Sequence, residues 1–203
     1  MDPAVVDVDE LIEFWTLLEI DREQLIGKCG YCAQMRRILV SGCLGGRPIR
    51  FDGTAVEVAS AIWDRWVAQG RLVHVCPEFA VGFPVPRPPA EIVGGTATAV
   101  LRGNAQVREV AGNDVTELFR EAAREAVARA QAADVALAVL VDGSPTCGST
   151  YVHDGLFAGG TVPGRGLAAE LLVRSGVPVF NQTQLEAADA LLAQIEAVGD
   201  APR

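Results

Sequence analysis

Basic charge is scarce in this chain. Its 203 residues carry 17 lysines and arginines against 26 acidic residues, giving a net charge of −9 and a pI near 4.7. Phosphate contacts need a basic face, so binding to long nucleic acid is not expected. Long apolar runs are missing too. Half of the residues are hydrophobic and the mean hydropathy is +0.25, yet charged residues interrupt every long stretch. None approaches the roughly 20 residues that span a bilayer, so no membrane partner is expected. Met1–Glu10 holds four acids and no basic residue, which is not the pattern of a secretory signal. Only two histidines are present and neither has the context of a catalytic dyad, which leaves a cysteine-nucleophile hydrolase without support. Gly42-Cys43-Leu44-Gly45-Gly46 is not followed by Gly-Lys-Ser/Thr and does not match the dinucleotide fingerprint, so it is not a phosphate loop. The five cysteines cannot all pair internally. In a chain without a secretion signal they point to the cytoplasm, where thiols more often bind metals or do chemistry than form disulfides.

What is present is enough chain to bury a full core in one domain without disulfide staples. Residues 1–36 read as a helical appendage: Leu11, Ile12, Trp15 and Leu18 make one face of an amphipathic helix over Val8–Ile20, followed by the pair Cys29 and Cys32. From Arg37 the pattern alternates short apolar strands with helices. Strands are expected at Ile38–Val40, Leu72–Val75, Val135–Val141 and Val177–Phe180. Helices are expected at Thr54–Gln69 with Thr54 as N-cap, Asp114–Ala133, Gly166–Ser175 and Gln182–Val198. Proline content predicts a stiff extended loop over Phe83–Ile92, and Gly103-Asn104 predicts a hairpin joining Val100–Arg102 to Gln106–Glu109. This order specifies a single three-layer α/β domain over 37–203 with a short, mostly parallel sheet.

Three cysteines share one address in that topology. Cys43 comes just after the first strand, Cys76 directly after the second, and Cys147 six residues after the third. In an open parallel sheet all three fall at the carboxyl edge, where ligand sites form. Three soft donors suit zinc or an iron–sulfur centre. With His74 as fourth ligand they would make a structural zinc site, and the protein a non-catalytic metal- or sulfide-binding module. With an open position they would serve catalysis.

Ser41-Gly42-Cys43-Leu44-Gly45, Arg50-Phe51-Asp52-Gly53, Cys76-Pro77-Glu78, Pro84-Val85-Pro86-Arg87-Pro88-Pro89-Ala90-Glu91-Ile92 and Ser144-Pro145-Thr146-Cys147-Gly148 occur in order. Together they resemble the TudS-like thiouracil desulfurases, a family formerly known only as a domain of unknown function, over about residues 37–190. The resemblance implies a [4Fe–4S] cluster held by Cys43, Cys76 and Cys147, with one iron free of protein ligands. It implies Glu78 as catalytic acid/base and Ser144 as catalytic serine. The implied reaction replaces C=S by C=O in a thiolated pyrimidine, a small-molecule partner, and releases sulfide. Arg87 and Ser41 are expected to contact substrate, with a salt bridge from Arg87 to Glu91 or Asp52 as the alternative. The chain departs from the family pattern at Val141, where lysine is common, at Thr146, where a second serine is usual, and at 181–184, a segment often acidic in relatives.

Overall fold

The computed structural model describes residues 35–199. The helix expected over Val8–Ile20 and the Cys29/Cys32 pair lie outside the described residues. The central sheet contains β1 (Arg37–Ser41), β2 (Leu72–Val75), β5 (Val135–Leu140) and β8 (Val179–Asn181), in the order β2-β1-β5-β8. Every pairing in it is parallel: Val40 sits opposite His74 and Val139, and Leu140 opposite Asn181. Ile38, Leu39, Val40 and Leu137 through Leu140 are at most 1% exposed, which is why β1 and β5 carry consecutive apolar residues rather than alternate ones. The first strand lies inside the sheet. The chain moves from β1 to β2 on one side and later to β5 on the other, so a crevice opens beyond the carboxyl ends of β1 and β5.

Right-handed crossovers in opposite directions put α1 (Ala61–Ala68) and α5 (Leu167–Arg174) on opposite faces. α6 (Leu185–Gly199) packs with α1, and α4 (Thr116–Ala132) with α5, completing three layers. Trp66 of α1 is fully buried and its indole N–H donates to Asp189 of α6 at 3.0 Å. Burying such a ring contributes roughly 4 kcal/mol at about 25 cal/mol per Å².

Three sequence expectations are corrected. The first helix begins at Ala61, not Thr54, because Ser60 caps it by accepting from Ile62 N at 3.2 Å. Thr54 is held instead by Asp52 Oδ1, and residues 56–60 alternate between half-buried and exposed, the pattern of extended chain. The expected hairpin around Gly103 does not form. Ala97–Leu101 is a short helix, α3, capped by Thr96, and β4 (Gln106–Glu109) pairs antiparallel with β3 (Ala90–Val93), drawn from the proline-rich segment. A ribbon of β6 (Tyr151–His153) and β7 (Thr161–Pro163) also lies within what reads in the sequence as a glycine-rich loop. A second apolar cluster, including Ile92, Val107 and Leu167, packs beneath these additions, with Phe83 and Phe119 edge to face at 5.2 Å. Among the described residues no helix is long and apolar enough to cross a membrane.

Candidate active site

Three strand ends deliver three thiols to one cavity of about 360 Å³. Cys43 lies in a 3-10 turn, Gly42–Gly45, that follows β1 directly. Cys76 is the residue before the short helix α2 (Pro77–Ala80), at the end of β2. Cys147 lies in the loop after β5. All three are free thiols, two buried and Cys76 partly so. Burial pushes the Cys43 thiol up to about 11, against the pull of the Arg50 guanidinium. Burial also raises Cys76, and it raises Cys147 well above the ordinary range, reinforced there by Glu78, Cys43 and Cys76. Three neighbouring thiolates in so poorly hydrated a place require a compensating cation, and a metal centre that deprotonates its sulfur ligands supplies one.

Two kinds of centre differ in how they space their donors. Among the described residues no three His, Cys, Asp or Glu side chains surround the position of a single ion. Structural zinc needs four donors within about 2.3 Å of one point. A cluster gives each cysteine a different iron and so spreads them around the cavity. His74 does not line the cavity. Its ring packs against Gly45 so closely that a Cβ there would sit 2.3 Å from Cε1, and its Nδ1 is buried without a hydrogen-bond partner. Burial and the nearby Arg47 hold its pKa down. The expected fourth zinc ligand is therefore a packed strand residue.

The Cys147 loop is fixed from two sides. Ser144 Oγ accepts from Thr146 N at 3.0 Å and from Cys147 N at 3.1 Å. The first turn of α5 donates back to the same loop, Leu167 N to Pro145 O at 2.8 Å and Ala168 N to Thr146 O at 2.9 Å. Gly166 permits this docking, since a Cβ there would lie 2.5 Å from the Thr146 carbonyl carbon. Asp142 ties down the loop beyond Cys147, accepting from Ser149 N at 2.7 Å, Thr150 N at 2.9 Å and Asn181 Nδ2 at 2.6 Å. Ser41, 2% exposed, accepts from Val141 N at 3.1 Å. Ser41 was expected to contact substrate. It lines the cavity, and its hydrogen bond to Val141 N stitches β1 to the end of β5.

Glu78 sits beside the thiols, 8% exposed. Arg87 donates to its Oε2 from Nε at 2.8 Å and brings Nη2 within 2.6 Å of the same oxygen as an ion pair. Thr146 Oγ1 donates to Oε1 at 2.8 Å, and Ser144 Oγ lies 3.5 Å from the same oxygen. Arg87 therefore pairs with Glu78, not with Glu91 or Asp52. Its remaining nitrogen reaches the Ile49 and Pro84 carbonyls at 3.4 and 3.3 Å. Arg87 orients the Glu78 carboxylate from the wall of the cavity. Asp52 bonds Thr54 and faces Arg50, while Glu91 accepts from Gly155 N and Phe157 N.

Sequence reasoning missed Thr146, Asp142 and His153. Thr146 is fully buried and bonded to Glu78, yet in the sequence it registers only as a serine replacement. His153 lines the cavity from β6, a strand three residues long whose alternation is too brief to detect.

An α/β domain that gathers three free thiols, two of them buried, and an arginine-clamped carboxylate at the edge of a parallel sheet has the layout of an enzyme built around a sulfur-ligated metal centre. The chain belongs to the 2-thiouracil desulfurase family, whose model matches residues 38–184. It is 40% identical over 148 residues to the uncharacterized protein YbbK of Bacillus subtilis (strain 168), covering 73% of this chain and 97% of that protein. Among solved structures it is similar to the [4Fe-4S]-dependent thiouracil desulfidase TudS, at 37% identity and a TM-score of 0.71, covering 78% of this chain and 99% of that one.

Proposed function

We propose that the protein is a thiouracil desulfurase that replaces C=S by C=O in a 2-thiouracil-like pyrimidine, with a [4Fe–4S] cluster held by Cys43, Cys76 and Cys147. The convergence of these three thiols on one buried cavity, with Glu78 on its wall, carries the reading. When bound, a cluster with one iron free of protein ligands supplies a soft Lewis acid for the thiocarbonyl sulfur.

The protein's own part is proton handling. Glu78 Oε2 accepts from Arg87 Nε and is ion-paired with its Nη2, so the proton-carrying atom is Oε1. Ser144 Oγ already accepts two backbone N–H groups, which leaves its single hydrogen free to donate toward Glu78 or the substrate. A water molecule attacks the thiocarbonyl carbon as Glu78 Oε1 removes one of its protons. A C–O bond forms, Ser144 steadies the developing charge, and the C–S bond breaks. The protons leave with sulfide. No electron is gained or lost by the substrate.

The catalytic domain spans 37–203 with 1–36 as its appendage. The substrate is a small molecule rather than long nucleic acid or a membrane component, in keeping with the net charge of −9. The free thiols fit a cytoplasmic setting.

The test is anaerobic assay of the reconstituted protein on 2-thiouracil. Equal yields of uracil and sulfide are expected. Glu78→Gln should keep its iron and lose turnover by about 100-fold or more. Full activity in that variant, or no sulfide from the wild type, contradicts the reading.

A further inference from the structure

One polar group on the cavity wall has no part in the chemistry above. The lining carboxylates are all occupied: Glu78 by Arg87 and Thr146, Glu91 by Gly155 N and Phe157 N, Glu109 by Asn113, and Asp142 by Ser149, Thr150 and Asn181. His153 is different. Its Nδ1 lies 3.3 Å from Gly160 O. A carbonyl oxygen only accepts, so Nδ1 carries the hydrogen, and in the neutral ring Nε2 presents a lone pair. Among the described residues Nε2 has no hydrogen-bond partner. It lies against Gly143, 3.8 Å from where a Cβ on that residue would be, and Gly143 is also part of the cavity wall. At Gly143 φ is +85°, a conformation that favours glycine and leaves the space beside Nε2 clear. The β6–β7 pairing, His153 opposite Thr161, fixes the ring from behind.

We propose that His153 Nε2 accepts a ring N–H of the thiolated pyrimidine and so sets which ring nitrogen must be unsubstituted. The proposal rests on the desulfurase reading. A thiouracil ring carries an N–H on each side of its C=S carbon and offers a neutral acceptor one of these two donors. A pocket built to accept an N–H rejects the analogue that lacks it, because the acceptor, shielded from water once substrate fills the cavity, is left unpaired and the added methyl group takes its place. His153 is thus a specificity-determining residue. It makes the same contact before and during reaction, so its removal weakens binding rather than turnover.

The experiment compares 2-thiouracil with its 1-methyl and 3-methyl derivatives on wild type, His153→Phe and His153→Gln, each matched for iron content and melting temperature. Wild type should use one methyl isomer at least tenfold less efficiently than the other. His153→Phe should raise KM for 2-thiouracil about tenfold, change kcat less than threefold and erase the discrimination between isomers. His153→Gln, whose amide oxygen also accepts, should restore KM to within about threefold of wild type. An unchanged KM in His153→Phe, or discrimination that survives it, overturns the assignment while leaving the desulfurase reading intact. A wild type that releases no sulfide from any of the three overturns both.

Discussion

Replacing Arg87 by methionine keeps the apolar stem and removes the guanidinium that clamps Glu78. Both side chains are nearly dry, 6% and 11% exposed. Truncating one partner of a buried pair leaves the other's charge uncompensated and costs about 3–5 kcal/mol, well above the ~0–1 kcal/mol of a surface pair. Thr146 and Ser144 remain near Oε1 but supply no charge. The two carbonyls that Arg87 serves, on Ile49 and Pro84, lose a donor as well. A domain of this size loses about 2–4 °C in melting temperature per kcal/mol, so Arg87→Met should melt roughly 10 °C lower. The assay is thermal unfolding followed by circular dichroism, on cluster-free and reconstituted protein, together with Glu78→Gln and the double variant. Because the two side chains act as a unit, the double variant should be at least about 1.5 kcal/mol more stable than the sum of the single losses. A drop below 3 °C in Arg87→Met, or strict additivity, would refute the claim that these residues form one buried ion pair.

Three further outcomes follow from the geometry. Gly166→Ala drives a Cβ into the Thr146 carbonyl and should separate α5 from the Cys147 loop, lowering iron retention at least tenfold after gel filtration while β1 and β2 stay intact by hydrogen exchange. In cluster-free protein the Cys43 thiol, pushed up to about 11 from an ordinary 9.0, holds about 100-fold less thiolate at pH 8 than an ordinary cysteine. Its alkylation by iodoacetamide, followed by mass spectrometry, should be slowed at least that much and accelerate about tenfold per pH unit up to pH 10. Burial raises the Asp142 carboxyl, but hydrogen bonds from Thr150, Ser149 and Asn181 bring it below the ordinary carboxylate range. Its stabilising effect is therefore present above the unfolded pKa near 3.9 and lost as pH falls through the lower folded value. Acid unfolding of wild type should steepen below about pH 4, and Asp142→Asn should show a shallower slope there; equal slopes would remove Asp142 from the account.

The chemistry of this protein was more legible in its sequence than the scaffolding around that chemistry. Four apolar strands alternating with helices give the parallel sheet, and the position of Cys43, Cys76 and Cys147 after three of those strands already places them at one edge. These signals are strong because burial on both faces of the sheet favours runs of consecutive apolar residues. The strand at Gln106–Glu109 was legible, but its pairing with β3 and the whole β6–β7 ribbon were not. The strands of both ribbons are three or four residues long, and their partners are chosen by tertiary packing rather than by turn chemistry. The proline-rich segment shows the difference: it delivers Arg87 as a stiff loop, as its composition predicts, yet its end at Ala90–Val93 becomes a strand because Gln106–Glu109 lies alongside. The partner of Arg87, Glu78 rather than Glu91 or Asp52, was not legible because a sequence does not show which carboxylate the fold brings beside it. Thr146 was underread for the same reason, since the hydroxyl gains its role only once the loop folds over Glu78.

The most direct test is the count of iron and acid-labile sulfide per chain after anaerobic reconstitution, in wild type and in Cys43→Ser, Cys76→Ser and Cys147→Ser. The account predicts about four irons and four sulfides in wild type, as a [4Fe–4S] cluster requires, and fewer than about one of each in every single variant. A variant that keeps the full complement, or a wild type that binds zinc in place of iron, would contradict it.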